Sequence, residues 1–421
     1  MRISDRIRGL FNRRNSRDND GEQGHGKERI NIEINEGNGY YEKAVNRLRS
    51  VCILLILVLV IFVVGAFSFR SDVITYKNFY YLMRDFNMSV VEADISGGTV
   101  SYADDDYRNF AFYRKGLAVV GKSGLSMYSS TGRKTLLSDS FSYAHPQIVP
   151  SDRYMMVYSL GGKEFSIYNS FFKIYSEALD YPIKTADMSS SGTFAVATRS
   201  DTYNSVVRFY DSNFECVWGL NKSAYVTHVL LTEDGSRMAV VSITNSNDAV
   251  YVTDVQMYRT NDAQLIYQKS YEGLFPVSVE YAGGNLAVIF DNALVYLDGN
   301  GNEKAYYSLD DLSVSACSAT EYGCVIAFSD KKILSENSLI VFDKYGNLSY
   351  NGKVSGNVNY VTLYEDRIFA SNAYGITMIK TSDGSQSQRS CSCLNSKILV
   401  YDKNTVVLCT DTKSTYIIFE K

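Results

Sequence analysis

Beyond Gly97 the chain alternates apolar and polar positions in short runs, broken by turns rich in Asp, Gly, Asn and Ser. That is the pattern of half-buried strands rather than of helices. One unit recurs: an alternating strand, a turn, a small apolar strand, a strand ending on an aromatic residue, then another turn. Residues 225–269 display it, with YVTHVLL leading through TEDGS to RMAVVSI, then AVYVTDVQMY and QLIYQK.

The small apolar strand serves as a ruler. It reads LAVV at 117, YMMV at 154, FAVA at 194, MAVV at 238, LAVI at 286, CVIA at 324, RIFA at 367 and TVVL at 405. The matching positions Ala118, Met155, Ala195, Ala239, Ala287, Val325, Phe369 and Val407 recur about every 41 residues, in the range of a four-stranded propeller blade. A second ruler keeps the same period. The following strand ends on MYSSTG at 127, IYNSFF at 167, FYDSNF at 209, MYRTND at 257, VYLDGNG at 295, VFDKYGN at 341 and MIKTSDG at 378.

A single four-stranded sheet buries its faces only against neighbouring sheets. Radial arrangement leaves short, protected edges, whereas a linear solenoid needs a shorter period and a capping unit. The pattern therefore predicts an all-β fold, a β-propeller of eight four-stranded blades, with seven as the alternative. The eighth unit has strands near SKILVYD, TVVLCTD and TYIIFEK but lacks an outer strand. TVSYADD at 99–105 precedes the first full unit and lacks a partner, so strand exchange between the termini is expected to close the ring.

The segment before the repeats is different. Val51–Phe69 reads VCILLILVLVIFVVGAFSF without a charge, and as a helix it would extend roughly 28 Å, about the thickness of a bilayer's hydrocarbon. A cleaved signal peptide has a shorter apolar run and leader, so the expectation is an uncleaved transmembrane helix at 50–70. Lys43, Arg47 and Arg49, with Arg2, Arg6, Arg8, Arg13, Arg14 and Arg17 further upstream, outweigh Arg70, Lys77 and Arg84 downstream. This bias predicts a cytoplasmic N-terminus, with the propeller at 98–421 outside the cell. Residues 1–49 have too little apolar surface to offset their ordering entropy and are expected to form a disordered basic tail. Residues 71–97 form a juxtamembrane stalk, partly helical, because Tyr76, Phe79, Tyr80, Met83 and Phe86 fall at helical spacing.

Composition narrows the classes. With 34 tyrosines, 21 phenylalanines and four prolines, the chain favours strands. A net charge of −4 offers no concentrated basic face for nucleic acid. Seven cysteines are too few for a disulfide-built scaffold of this length.

Candidate chemistry is sparse, and no residue is assigned to catalysis, a cofactor or a metal. His25 belongs to the tail; His145 and His228 fall in the predicted inner strands of blades two and four, with no acid or thiol at metal spacing. The stretch from Asp298 to Glu303 resembles a calcium loop, but Leu309 stands where an EF-hand needs a bidentate acid. The same turn recurs at 343–347, so a strand-connecting turn is expected. Asp104–Asp106 reads as a solvated turn. Cys317 and Cys324 fall on adjacent strands of blade six, and Cys393 and Cys409 on adjacent strands of blade eight, with Cys391 and Cys216 besides. Disulfides and small buried thiols both fit. The sequons at Asn87, Asn221 and Asn347 matter only in a eukaryotic secretory pathway. Trp218 is the sole tryptophan, which argues against a quinoprotein dehydrogenase, and the WD signature is absent.

A charged tail, one span, an aromatic stalk and a tyrosine-rich propeller with turns such as TEDGSRMAVV together resemble an uncharacterised bacterial family of single-pass proteins, a domain of unknown function. The resemblance implies a fold and an anchored location, and transfers no catalytic residue. The expected role is a membrane-anchored binding or scaffold module for a protein, peptide or glycan of the cell envelope, without cofactor. The alternative is a glycan-active enzyme with its site at the propeller channel. Acids and His lining one channel mouth would favour the enzyme; exposed aromatics on the rim would favour binding. The inner strands show no convergent titratable residues, which favours binding.

Overall fold

Thirty-two strands among the described residues pair into eight antiparallel sheets of four. This computed structural model describes residues 37–69, 84, 98–102, 108–129, 132–245, 250–309, 313–330, 333–393 and 396–419. The chain divides into two compact units, residues 1–79 and 80–421.

The first unit contains helix α1 (Gly37–Phe69), which begins upstream of the apolar run. Within it Lys43–Ile61 has a mean hydropathy of 2.2 and no buried share, so it is long and apolar enough to cross a membrane.

The second unit is an eight-bladed β-propeller. The blades span 108–140, 146–178, 183–222, 225–272, 276–308, 313–355 and 360–390, and the eighth joins 397–418 to 99–101. The innermost strands are β2 (Arg108–Tyr113), β6 (Pro146–Pro150), β10 (Ile183–Met188), β14 (Tyr225–Leu231), β18 (Pro276–Ala282), β22 (Ser313–Thr320), β26 (Tyr360–Tyr364) and β30 (Lys397–Asp402). Each neighbours the next around the axis.

All eight ruler positions lie on second strands, and each is 0% exposed. The reason lies in the pleat. On β11 (Phe194–Thr198), Phe194 and Val196 pack toward blade two while Ala195 and Ala197 pack toward blade four. A strand covered on both faces reads as a continuous apolar run, whereas outer strands such as β21 (Glu303–Ser308) keep the alternation of a half-exposed edge. Eight hydrophobic clusters result, one at each blade interface.

Tyrosines bolt the blades together. Their rings fill the interfaces and their hydroxyls cross them: Tyr113 donates to the Arg153 carbonyl at 2.9 Å, Tyr168 to Asp139 Oδ2 at 2.8 Å, Tyr271 to Glu303 Oε1 at 3.0 Å. Tyr307 donates to the Gly346 carbonyl at 3.1 Å. Trp218 makes the same kind of link, stacking on Phe209 and donating to the Thr260 carbonyl of the next blade at 2.7 Å. Amphipathic rings with one polar tip suit such a half-dry seam, which accounts for the tyrosine-rich composition.

The Asp298 loop is a strand-connecting turn, as its repetition indicates. Asp298 Oδ1 accepts the amides of Asn300 and Asn302, and Asp343 Oδ1 those of Tyr345 and Asn347, all within 2.9 Å. Gly301 and Gly346 hold φ at +82° and +87° over Tyr267 and Tyr296, where a Cβ would strike the ring or its neighbours. Phe214 occupies the equivalent place in blade three at φ 69°. The Arg84 guanidinium lies 5.2 Å from the centre of its ring, and the Arg84 carbonyl accepts from Asn169 Nδ2 at 3.3 Å. Arg84 thus touches the propeller at blades two and three. The rest of the stalk, the tail before Gly37, Asn87 and Asp104–Asp106 lie outside the described residues. His228 lies on β14 as expected. His145 does not lie on an inner strand: it immediately precedes β6, whose pairing begins at Pro146.

Strand exchange closes the ring. β1 (Thr99–Ser101) pairs with β32 (Lys413–Ile418), placing Thr99 opposite Thr415, Val100 opposite Ser414 and Ser101 opposite Lys413. Val100 is 0% exposed and packs with Val407, Tyr416 and Leu117, so one apolar residue joins both ends of the chain to blade one. Val100→Asp buries a carboxylate in that seam and should lower stability by roughly 3 kcal/mol or more, read from urea unfolding. Ser101→Asp, on the exposed face of the same strand, should stay within about 0.5 kcal/mol of wild type. Equal effects of the two would contradict the closure.

Candidate functional site

Because neighbouring strands run antiparallel, the turns joining first to second strands open on one face, called here the turn face. The blade-to-blade linkers and second-to-third-strand loops open on the other, the linker face. Both faces carry groups that the fold does not require.

On the turn face, Asp187 and Glu280 sit near the ends of β10 and β18, and Glu321 lies in the turn after β22. Glu280 and Glu321 line a cavity of about 400 Å³ together with Thr320, Tyr322, Tyr360, Thr362 and Tyr364. The Tyr322 and Tyr364 rings meet there at 5.0 Å. The carboxyls are walled in by protein yet part-exposed to the channel. Burial, then the nearby Asp187 charge, pushes Glu280 up to about 7, and its Oε1 accepts the adjoining Tyr281 amide at 3.1 Å. Burial raises Asp187 to about 6, opposed by the Leu231 amide, which donates to Oδ2 at 2.7 Å.

The inner strands therefore do carry convergent titratable groups, contrary to the sequence reading. Strand periodicity shows which positions alternate but not which inner-strand ends crowd together around the axis. The available signal was an acid just before the hairpin in ADMSS and VEYAGG.

His228 does not join these acids. Its Nδ1 lies 3.1 Å from Thr227 Oγ1, and burial lowers its pKa. Among the described residues, no group of three or more His, Cys, Asp or Glu side chains is placed to hold a metal. A second turn-face cavity of about 460 Å³ lies between blades one and two, lined by Phe112, Tyr113, Arg114, Pro150, Ser151 and Asp152. Its hairpin holds Arg114 and Lys115 at φ 49° and 63°, a left-handed pair usually given to Asn-Gly.

The linker face is apolar where the turn face is acidic. Tyr203, Tyr225, Val250, Phe275 and Val277 are 40%, 58%, 43%, 47% and 49% exposed along blades three to five. Phe275 packs edge-on to Tyr251 at 6.3 Å, and Lys184 Nζ sits 5.0 Å from the centre of the Tyr225 ring. This is the exposed aromatic rim that the binding reading calls for.

Fold and surfaces define a β-propeller of the broad class that includes WD40 domains. The chain belongs to a family of unknown function, DUF5711, whose family model matches residues 90–418. No curated protein matches it. Among solved structures, a eukaryotic initiation factor aligns at TM-score 0.52 and 14% identity, over 75% of this chain and 84% of that one. BamB from Moraxella catarrhalis aligns at 0.52 and 11%, over 77% and 97%. The WD40 domain of SCAP from fission yeast aligns at 0.50 and 11%, over 77% and 98%. At these identities the similarity is one of fold.

The acids carry a measurable signature. Glu280 keeps its proton up to about 7 in the folded chain, against an ordinary 4.5. Between those values the native state holds a proton that the unfolded state has lost, so stability falls as pH rises through the window. Glu280→Gln should therefore raise stability by on the order of 1–3 kcal/mol at about pH 8 and leave it unchanged near pH 4. Urea unfolding at both pH values checks this, and an equal shift at both would contradict it.

Proposed function

We propose that this chain is a membrane-anchored binding module that holds its propeller outside the cell and captures an envelope protein on the linker face. Helix α1 supplies the anchor, and the excess of Lys and Arg before it supports an inside N-terminus. The observation that carries the reading is the arc from Tyr203 to Val277. These side chains remain exposed in a domain whose interfaces are otherwise filled, and they fall at the linker-face ends of three successive blades. Aromatic anchors beside aliphatic neighbours are the composition of a protein-binding patch. Val250 and Val277 beside Phe275 suit apolar side chains of a protein segment better than sugar rings, which need flat aromatic faces with polar partners.

In intact cells, a membrane-impermeant cross-linker should attach one or two envelope proteins to the propeller. The combined Tyr225→Ser and Phe275→Ser variant should reduce that attachment about tenfold or more, since exposed anchors contribute about 1–2 kcal/mol each, with unfolding unchanged. Undiminished attachment to the variant would overturn the proposed surface. Labelling of propeller lysines only after lysis would overturn the topology.

One observation favours a second reading, a glycan-active enzyme at the channel. Glycoside hydrolysis uses two carboxyls that face one site, and Glu280 and Glu321 line one cavity, with burial raising Glu280. Under this reading Glu280→Gln abolishes hydrolysis of envelope glycan while the linker-face variant retains it.

A further inference from the structure

Between blades seven and eight the chain carries Cys391-Ser392-Cys393, whose two sulfurs approach to 3.2 Å. The backbone is pinned on both sides. The Cys391 amide donates to the Tyr374 carbonyl at 3.1 Å and the Cys393 amide to the Ala373 carbonyl at 3.3 Å. Ser396 Oγ donates to the Cys393 carbonyl at 2.8 Å. Cys393 is 7% exposed and packs with Phe369, Met378, Ile398 and Leu408, while Cys391 is part-exposed beside them. Cys391 is thus the more accessible of the two, and Cys393 is buried beside it.

The remaining thiols lack this arrangement. Cys317 and Cys324 do lie on adjacent strands, but Cys317 faces Ile326 and Cys324 faces Ala319, two pairs along the ladder. Cys393 precedes β30 rather than lying on it, and Cys409 stands opposite Lys397. The expected strand pair in blade eight is therefore absent.

We propose that Cys391 and Cys393 form a thiol–disulfide exchange site. The co-reactant is a small-molecule disulfide or an oxidised protein dithiol. The Cys391 thiolate attacks one sulfur of that disulfide, forming a mixed disulfide and releasing one thiolate. Cys393 then loses its proton and attacks Cys391 Sγ, and the second thiolate leaves. Two cysteine sulfurs are oxidised by one electron each, the external disulfide is reduced to two thiols, and the two protons end on them. The sulfurs need only close from contact to about 2.05 Å.

A ring spanning one intervening residue removes little entropy from the unfolded chain, because such stabilisation grows with loop length. The pair is thus poorly suited as a structural staple and suited to reversible exchange. Burial and the neighbouring Cys391 push the Cys393 thiol up to about 12. Ring closure, which needs its thiolate, is therefore the slow step.

The test uses the full-length chain in detergent, equilibrated with reduced and oxidised glutathione, then alkylated, digested and weighed. Expected is a peptide containing Cys391 and Cys393 that is lighter by two hydrogens, with Cys317, Cys324 and Cys409 still alkylatable after unfolding. Below its plateau the closure rate should rise about tenfold per pH unit. Cys393→Ser should trap Cys391 as a stable glutathione adduct that wild type does not accumulate. Both thiols remaining reduced under oxidised glutathione, or Cys393 bridging to Cys409 instead, would overturn the proposal.

Discussion

The pairing of β1 with β32 is the constraint on which the rest depends. Every other blade is built from consecutive strands and could form locally once its neighbours offer a surface. The eighth needs Val100 beside Ser414 and Val407, residues from opposite ends of the domain. Joining them incurs a long loop-closure entropy, which is recovered only when all eight interfaces exist at once. Closure therefore converts a string of locally stable sheets into one cooperative unit, and it reduces the outer edge of blade eight to the three-residue strand β1.

Given that closure, the eight interfaces explain most of the sequence. Second strands are apolar on both faces because each serves two interfaces. Tyrosines and Trp218 crowd the seams because their polar tips can reach carbonyls and carboxylates of the next blade. What the closure does not explain is equally informative. Asp187 and Glu280 lose hydration at the channel mouth, and the aromatic arc of blades three to five stays in water. Groups that cost stability, or add none, are where function is sought.

The architecture was legible in the sequence because repetition replaces alignment. Eight matching apolar strands gave the blade count, and an unpartnered strand before the first unit with a missing outer strand in the eighth gave the closure. The site was much less legible. Asp187 and Glu280 lie on the inner strands of blades three and five, either side of blade four, and nothing in their local spacing records that they feel each other's charge. His145 was placed one residue too far into a strand because apolar patterning does not mark where pairing starts. The nearness of Cys391 and Cys393 depends on the backbone pins from Ala373 and Tyr374, residues of a hairpin that spacing alone leaves unplaced.

The most direct test of the account is native-state hydrogen exchange on the amides of the closing seam. The amides of Val100 and Tyr102, which point into the seam, should exchange only with the opening that releases β31 (Thr405–Cys409) and β32, and with the same dependence on denaturant. Fast, denaturant-independent exchange of Val100 and Tyr102 beside a protected β31 would show an open ring and contradict the closure.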